Sequence, residues 1–329
     1  MKTILAFAIV LALACAAFVA TAAEQSTTAG QIGKPDRRGG PELRGRPLWS
    51  APDTNPALRV CSDPNNLPFS NARGEGFENR IAELLARDLG THVDYTWWAQ
   101  RRGFVRNTLG AQRCDVVIGI IAGDEQLATT KPYYRSTYVF VTRRSSGLRF
   151  ASMDDPRLHH VRIGIHVIGD DYNSLPPGVA LAGRGIVRNV VGYSIYGNYA
   201  KASPPSDLIA AVAEGKVDVA IAWGPLAGYY AARSHVPLHV SPVGNAMAGH
   251  GIPFSYAIAM GVRKEDTTRV GVLQGELDRR RAAIRRILRD YDVPLGGEDG
   301  AGAQANIGGE RPRGAVAPHT ASGAGGTTP

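Results

Sequence analysis

Two separate stretches of the chain share one order of features: the end of a helix, a glycine turn, and a short apolar strand opened by Asp-Val. The first is Leu109–Ile120 and the second is Val212–Trp223. A nearly continuous apolar run of this kind is typical of a strand buried on both faces of a sheet. Because the pattern occurs twice, it predicts two α/β lobes of similar construction.

The first repeat lies within an alternation of strands and helices. Strands are predicted at 57–61, 92–98 and 114–120, with helices at 75–89 and 102–110 between them. In the longer helix the apolar residues recur at helical spacing and cover one face. Strand–helix–strand order predicts parallel pairing with right-handed crossovers.

The second repeat lies within a shorter version of the same alternation. It predicts a strand at 162–165, a helix at 207–214 and a buried strand at 217–223. Two further strands, 136–144 and 255–263, are expected to pair with each other and to carry the chain between the lobes.

An amphipathic helix predicted at 275–291 closes the fold, with six arginines mostly on its solvent side. We therefore assign 57–143 plus 244–295 to lobe 1 and 144–243 to lobe 2, with a cleft between them.

The two ends of the chain differ from this folded part. Residues 1–23 have the layout of a secretory signal peptide, with cleavage expected near Ala23, so we expect the mature protein in the periplasm. The alternatives are a membrane-spanning helix, or a lipoprotein signal at Cys15. Residues 24–56 are expected to form a flexible leader, and the Gly-rich residues 296–329 a disordered tail.

Composition excludes several classes of protein. With 44% apolar residues, the chain can bury a large core. A formal net charge of +8 without a dense Lys/Arg block does not indicate a nucleic-acid partner. No later stretch is long and apolar enough to span a membrane, so we predict no span in the mature protein. Three cysteines are too few for a Cys-rich zinc module.

Two cysteines, Cys61 and Cys114, remain after removal of the signal peptide, in a compartment that favours oxidation. We predict a disulfide between them. The alternative is that the stagger between the end of one strand and the start of its neighbour holds their Cα atoms too far apart.

Four segments resemble the type II periplasmic solute-binding proteins of extracellular family 3, which serve ABC transporters. They are Leu58–Phe69, Gly76–Glu78, Cys114–Gly119 and Lys216–Ile221. The resemblance implies a two-lobed α/β fold, each lobe a mainly parallel sheet flanked by helices, with two crossover strands and a ligand cleft between the lobes.

The recognition chemistry of an amino-acid receptor is missing from this sequence. The family's amino-acid binders place an arginine after the third strand to pair with the ligand carboxylate. Here that stretch contains Asp124 and Glu125, and the stretch that should offer an Asp to the ligand ammonium reads Gly-Pro after Trp223. We therefore expect no binding of ordinary amino acids.

Longer blocks resemble a specialised branch of that family, the quinoprotein dehydrogenase-associated substrate-binding proteins known as MxaJ, MoxJ and XoxJ. The blocks are 61–71, 76–90, 95–119, 129–143 and 222–231. The resemblance implies a periplasmic accessory protein of a methanol dehydrogenase that uses pyrroloquinoline quinone (PQQ). Its partner would be the calcium or the lanthanide enzyme, the latter favoured, and the enzyme's cytochrome c is a further candidate partner.

A hexapeptide with two tryptophans and two arginines is the most unusual candidate for a contact surface. Trp97, Trp98, Arg101 and Arg102 together would offer aromatic and guanidinium anchors to a partner. The alternative is one tryptophan buried under the strand and two solvated arginines, because alternation along a strand turns neighbouring side chains to opposite faces.

Other candidates are expected around the cleft, where open α/β sheets bind ligands. They are polar residues after the first strand and aromatic residues of both lobes: Asp63, Asn65, Asn66, Tyr133, Tyr134, Trp223 and Tyr229. The alternatives are turn-forming roles for the polar residues and core packing for the aromatic ones.

We find no motif for catalysis, a cofactor or a metal, and Asp170–Asn173 lacks the glycine and glutamate of a calcium loop. We therefore expect a binding protein and not an enzyme, without a cofactor. The second hypothesis is a solute receptor of an ABC transporter with a ligand other than an amino acid.

Overall fold

The computed structural model of the chain describes residues 57–168, 175–195, 204–244 and 252–296. Within these ranges the strands are β1 (Ala57–Ser62), β2 (Asn65–Asn66), β3 (Ser70–Asn71), β4 (His92–Trp97), β5 (Val116–Ile121), β6 (Ala128–Thr129), β7 (Tyr134–Arg143), β8 (Ile163–Val167), β9 (Val190–Ser194), β10 (Val219–Trp223), β11 (Leu238–Pro242) and β12 (Ser255–Val262). The helices are α1 (Phe77–Asp88), α2 (Phe104–Asn107), α3 (Pro176–Ala182), α4 (Asp207–Ala213), α5 (Gly224–Arg233) and α6 (Thr267–Asp290). Short 3₁₀ turns cover Arg144–Ser146, Pro156–His159 and Pro204–Ser206.

The predicted signal peptide and leader, the Asp170–Asn173 stretch and residues 297–329 of the predicted tail lie outside the described residues.

A mixed sheet of ten strands forms the centre of the fold, in the order β4-β1-β5-β12-β7-β10-β8-β9, with β11 paired to β7 and β6 to β12. β1 runs parallel to β4 and β5, and β8 runs parallel to β9 and β10. The parallel pairing predicted for each repeat is confirmed, and with it the α/β class with a large sheet flanked by helices.

The long strand β7 belongs to both ends of this sheet. Residues 134–137 pair antiparallel with β12, and residues 138–142 pair antiparallel with β10. The predicted pairing of the two crossover strands is therefore confirmed. We call β4, β1, β5 and β12 with α1 and α6 the first half, and β10, β8 and β9 with α4 the second half.

Several element boundaries differ from the prediction. The last helix begins at Thr267 instead of 275, because Val270 and Leu273 extend its apolar stripe into the core behind two β-branched threonines. The helix predicted at 102–110 is only α2, since Gly103 precedes it with a positive φ of 87°. The strand predicted to open at Cys114 begins at Val116.

The predicted disulfide is confirmed. Cys61 and Cys114 are bonded, with their Cα atoms 5.4 Å apart. The stagger that argued against the bond does not apply, because Cys114 lies in the turn before β5 and not in the strand. Both cysteines pack with Phe104, Leu109 and Val117 in a small core of their own.

In each half an arginine holds the start of the repeated strand. In the first half Arg263, after β12, donates to the carbonyl oxygens of Leu109 and Cys114 at 3.3 and 2.7 Å, and to Asp115 at 2.6 Å. Arg263 can contact all three residues because β12 ends beside the turn that precedes β5. We call this set the first clamp.

The second half repeats the arrangement with β7 in place of β12. Arg143 donates to the carbonyl oxygens of Val212 and Val217 at 2.7 and 3.3 Å, and lies 3.8 Å from Asp218. We call this the second clamp. The sequence repeat thus corresponds to a repeated set of contacts.

Candidate functional site

The polar residues after β1 build a turn at the carboxyl end of the sheet. Asp63 is 3% exposed, and its carboxylate accepts hydrogen bonds from the backbone N–H of Asn65 at 2.8 Å and of Gln100 at 2.7 Å. Asn65 and Asn66 form β2, and the Asn66 side chain donates to that of Gln100 at 3.3 Å. Asp63 therefore fastens the turn after β1 to the turn after β4.

The tryptophan–arginine hexapeptide occupies that second turn. Trp97 is half-buried and stacks on Tyr95 with ring centroids 4.5 Å apart. Trp98 is 37% exposed, and the guanidinium of Arg113 lies 5.4 Å from its ring centroid. The two indoles therefore have different surroundings, and Trp98 offers the more exposed aromatic surface.

The arginines of the hexapeptide, Arg101 and Arg102, are exposed at the same turn. They add positive charge next to Trp98.

A carboxyl group that the sequence reading did not single out lies at the centre of the candidate site. Glu78, in the first turn of α1, packs against β5: a Cβ added to Gly119 would lie 2.0 Å from Glu78 Oε1. Glu78 also interacts electrostatically with Asp63, Tyr133 and Tyr134. The site therefore joins the turn after β1, α1, β5 and the start of β7.

Burial raises the pKa of Glu78 to about 8, and the nearby Asp63 carboxylate adds to the shift. This pKa lies about one unit above neutral pH, so the protonated form, which offers an O–H donor, predominates there. Burial also raises the pKa of Tyr133 and Tyr134, so both phenols stay neutral. This group of Glu78, Asp63, Tyr133 and Tyr134, which we call the carboxyl–tyrosine site, suits a neutral polar or cationic ligand group better than an anion.

The two tyrosines are firmly held. The Tyr133 hydroxyl donates to the Ile118 carbonyl oxygen at 3.1 Å, and the rings of Tyr133 and Tyr134 lie 5.0 Å apart. Tyr134 also meets Phe77 edge to face at 6.2 Å. Because Phe77 is the neighbour of Glu78 in α1, the ring contacts fix the helix that presents the carboxyl group.

Glycine at position 119, within a strand that is otherwise apolar, is the sequence signal that could have revealed Glu78. A glycine inside a strand often marks the close approach of another group. Here the approaching group is the Glu78 carboxylate, and any larger side chain at this position would have to displace it.

Asp124 and Glu125, which stand where an amino-acid receptor supplies its arginine, are not buried together. Glu125 is exposed, and Asp124 is half-buried and accepts a hydrogen bond from the Gln126 N–H at 2.8 Å within its own turn. The expectation that ordinary amino acids do not bind therefore rests on the absence of an arginine from 122–127. Failure to bind amino acids stays a prediction.

Trp223 and Tyr229 lie at two different places. Trp223 ends β10 and packs against the core clusters of both halves, with its ring 5.4 Å from Tyr138 and 5.9 Å from Tyr256. Tyr229 lies on α5 and stacks on Tyr291 at the end of α6, with ring centroids 5.7 Å apart. Neither contact includes the carboxyl–tyrosine site.

Helix α5 was not predicted, because two glycines and a proline weaken the helical pattern of its sequence. The same glycines allow close contacts that position the helix. A Cβ at Gly228 would lie 2.0 Å from the Asp292 carbonyl oxygen, and one at Gly224 2.5 Å from that of Thr137. The bare helix face lets the chain after α6 pass directly over it, and Ser136 fixes that chain by donating to the Pro294 carbonyl oxygen at 2.7 Å.

Among the residues that the structure describes, neither a metal centre nor a membrane span was found. Within the described ranges no group of three or more His, Cys, Asp or Glu side chains could hold a metal ion. None of the helices described here combines the length and apolar character needed to cross a bilayer.

Comparison with known proteins gives the family. No family model matches the chain. Protein MoxJ of Methylorubrum extorquens is 34% identical over 249 residues, which cover 72% of this chain and 81% of that protein. The chain belongs to the MoxJ family. MoxJ of Paracoccus denitrificans agrees, with 31% identity over 254 residues, 72% of this chain and 88% of its own length.

Among solved structures, this chain is similar to the periplasmic binding protein XoxJ of Methylobacterium extorquens AM1. It is 39% identical with a TM-score of 0.61, and the match covers 74% of this chain and all of XoxJ. The resemblance of the sequence to the MxaJ/MoxJ/XoxJ branch is confirmed.

The wider fold family is also confirmed. An ancestral cationic amino acid solute-binding protein matches with a TM-score of 0.55 and 18% identity, over 72% of this chain and 95% of its own. That similarity shows the fold of periplasmic binding proteins alone.

Proposed function

We propose that this protein is a periplasmic accessory protein of a PQQ-dependent methanol dehydrogenase, which it binds and helps to mature or activate. The observation that carries the proposal is membership of the MoxJ family together with 39% identity to XoxJ over the whole of that protein. Of the two forms of the dehydrogenase we favour the lanthanide enzyme, with its cytochrome c as a further candidate partner. The predicted signal peptide supports export to the periplasm.

Two features support a polypeptide as the ligand. The segment 122–127 that in amino-acid receptors supplies an arginine holds Asp124 and Glu125, so a free amino acid would lack its carboxylate partner. Glu78 and Tyr133 are the half-buried members of the carboxyl–tyrosine site, and a carboxyl group beside an aromatic ring can contact backbone amides and apolar side chains.

We place the contact with the dehydrogenase at the carboxyl–tyrosine site and at the neighbouring turn that carries Trp98, Arg101 and Arg102. The exposed indole would supply apolar contact area, and the arginines would speed encounter with an acidic partner. Trp223 and Tyr229 pack on other elements, so we leave them out of this contact.

The test is dehydrogenase activity in cells that lack this protein. We expect periplasmic extracts of a deletion strain to contain dehydrogenase with its activity reduced by roughly tenfold or more. A plasmid copy of the natural gene should restore the activity, and a W98A/R101A/R102A variant should restore it only in part. Growing the strain with calcium or with a lanthanide separates the two enzymes. Full activity of both enzymes in the deletion strain would refute the proposal.

A second candidate is a solute receptor, favoured by one observation: Glu78 is a protonated carboxyl group in the place where the fold family binds small ligands. Such a receptor would take a neutral or cationic solute that is not an amino acid. A thermal-shift screen would support it if a small molecule stabilises the natural protein and not an E78Q variant, and if the deletion strain keeps full dehydrogenase activity.

A further inference from the structure

A pair of adjoining cavities lies on the outer side of the first half, between α6 and the segment 131–135 that leads into β7. One has a volume of about 500 Å³ and the other about 160 Å³. Pro132, Tyr133 and Arg285 line both, so the two form one continuous groove. We call it the α6 groove.

Positive charge dominates this groove. Its cationic lining residues are Lys131, Arg135, Arg281, Arg285 and Arg289, and its carboxylate is Asp278, which pairs with Arg281 at 3.1 Å. Within the described part of the chain, Lys131, Arg135 and Arg289 make no ion pair. Like charges gathered along one groove raise the local concentration of anionic groups.

The arginines of α6 do not all share this position. Arg279 pairs with the buried Glu276 one turn earlier in α6, and Arg280 pairs with Asp88 of α1, so both are engaged within the fold. Arg286 is exposed and does not line the groove. The cationic lining is therefore more specific than the solvated helix face that the sequence suggested.

Apolar side chains lie between the charges. Leu277, Ile284, Leu288 and Leu295 line the groove together with Tyr133. From Gln274 to Arg289 the helix advances by roughly 22 Å at about 1.5 Å per residue. An extended peptide covers that length with about seven residues.

We propose that the α6 groove binds an extended acidic segment of another protein, whose Asp and Glu side chains pair with the groove cations while its apolar side chains cover the half-buried Tyr133 and Leu295. Charge complementarity selects this occupant, since guanidinium groups pair with carboxylates through two parallel hydrogen bonds. The groove shares Tyr133 and Tyr134 with the carboxyl–tyrosine site. Arg135 and Arg289, the residues changed in the test, belong to the groove and not to the proposed dehydrogenase contact, so the two proposals can fail separately.

The experiment measures fluorescence anisotropy of a fluorescein-labelled peptide, Glu-Leu-Asp-Glu-Leu-Glu-Asp-Leu, titrated with the mature full-length protein. A peptide with Lys at every acidic position is the matched probe. The test variant is R135E/R289E. The control variant, K264E/R286E, changes net charge equally at two exposed residues outside the groove.

We expect the acidic peptide to bind in about 50 mM NaCl and to lose most of its affinity in about 300 mM NaCl. The R135E/R289E variant should bind at least about tenfold more weakly, and the control variant within about twofold of the natural protein. The Lys peptide should not bind. Circular dichroism of both variants checks that they are folded.

Three results would overturn the proposal. The first is no binding of the acidic peptide, or an equal loss in both variants. The second is binding only by an E298Q/D299N variant, which would assign the groove to the chain's own C-terminal segment. The third is binding of anionic phosphatidylglycerol vesicles, lost in R135E/R289E, without binding of the peptide, which would assign the groove to a lipid surface.

Discussion

The two halves of the molecule fix the same repeated strand with the same kind of arginine clamp, but the two clamps differ in burial and support. In the first clamp the Arg263 and Asp115 side chains are 14% and 7% exposed, and Arg269 and Arg59 approach Asp115 at 3.3 and 3.6 Å. In the second clamp the Arg143 and Asp218 side chains are 21% and 24% exposed.

Covalent support differs in the same direction. Cys114, next to Asp115, is bonded to Cys61, whereas Val217 holds the equivalent place before Asp218. The half that carries Glu78 and Asp63 is therefore the more tightly fixed. A rigid first half would hold the carboxyl–tyrosine site in place for a partner, and preorganisation of this kind lowers the cost of binding.

Replacing each clamp arginine by methionine should separate the halves most clearly. We expect R263M to lower the free energy of unfolding by about 3–4 kcal/mol, because the carbonyl oxygens of Leu109 and Cys114 lose their donor and the buried Asp115 keeps only Arg269 and Arg59, at 3.3 and 3.6 Å. The matched R143M variant should lose only about 1–2 kcal/mol, because its carboxylate is more exposed and keeps Arg162 at 2.8 Å. Urea unfolding measures both, and equal losses would contradict the comparison.

Removing the disulfide should have the next largest effect. The bond closes a loop across a sequence separation of 53, so a C61A/C114A variant should lose about 2–4 kcal/mol of unfolding free energy. The natural protein measured with and without a reducing agent provides the control. A loss below about 0.5 kcal/mol in both measurements would show that the first half does not depend on its crosslink.

The second half should be sensitive to acid through His166 of β8. Burial lowers the pKa of this histidine to about 4, and its Nε2 lies 3.1 Å from the Pro205 carbonyl oxygen. The unfolded chain takes up the proton near its ordinary pKa of 6.5, whereas the folded chain takes it up only near 4. The contribution of neutral His166 to the free energy of unfolding is therefore complete above pH 6.5, and it falls by up to about 3 kcal/mol as the pH drops toward 4.

Urea unfolding of the natural protein and an H166Q variant across this pH range checks the effect, with the exposed His92 replaced by glutamine as the control. The pH dependence should shrink in H166Q and persist in H92Q. Identical profiles for all three proteins would exclude His166 as the acid-sensitive group.

The first half should show the opposite pH dependence through Glu78. The pKa of Glu78 is about 8 in the folded protein, against an ordinary value of 4.5. Its contribution to the free energy of unfolding is therefore complete below pH 4.5 and is lost as the pH rises through 8. An E78Q variant stays neutral, and above pH 8 its free energy of unfolding should exceed that of the natural protein by about 1–2 kcal/mol, a figure reduced because the Glu78 side chain is half-buried. The two should be equally stable near pH 4, and an E83Q variant on the exposed side of α1 is the control.

Much of the fold could be predicted because it rests on local patterns. Apolar periodicity in the sequence predicts the Asp-Val strands, the buried face of α1 and the crossover strands, and the structure contains all of them. Helix α5 and the first residues of α6 were not predicted, because tertiary packing overrides local helix propensity at both places. Glycines and threonines weaken a helical pattern, and close contact with the chain after α6 cannot be seen in a window of sequence.

The candidate site was predictable in outline only. Asp63 and the tyrosines could be placed near the ends of strands, but the pKa of Glu78 depends on how far β5 and α1 enclose it, which no spacing records. Asp124 and Glu125 show the converse, because adjacency in the sequence does not bury two carboxylates together.

Direct binding to the dehydrogenase tests the central claim. Purified mature protein and purified PQQ methanol dehydrogenase, in its calcium and lanthanide forms, are mixed at low salt and followed by sedimentation velocity and calorimetry. We predict a complex with the lanthanide enzyme that a W98A/R101A/R102A variant weakens by at least about tenfold, while K264E/R286E leaves it within about twofold. Absence of a complex with either form at low salt would contradict the account.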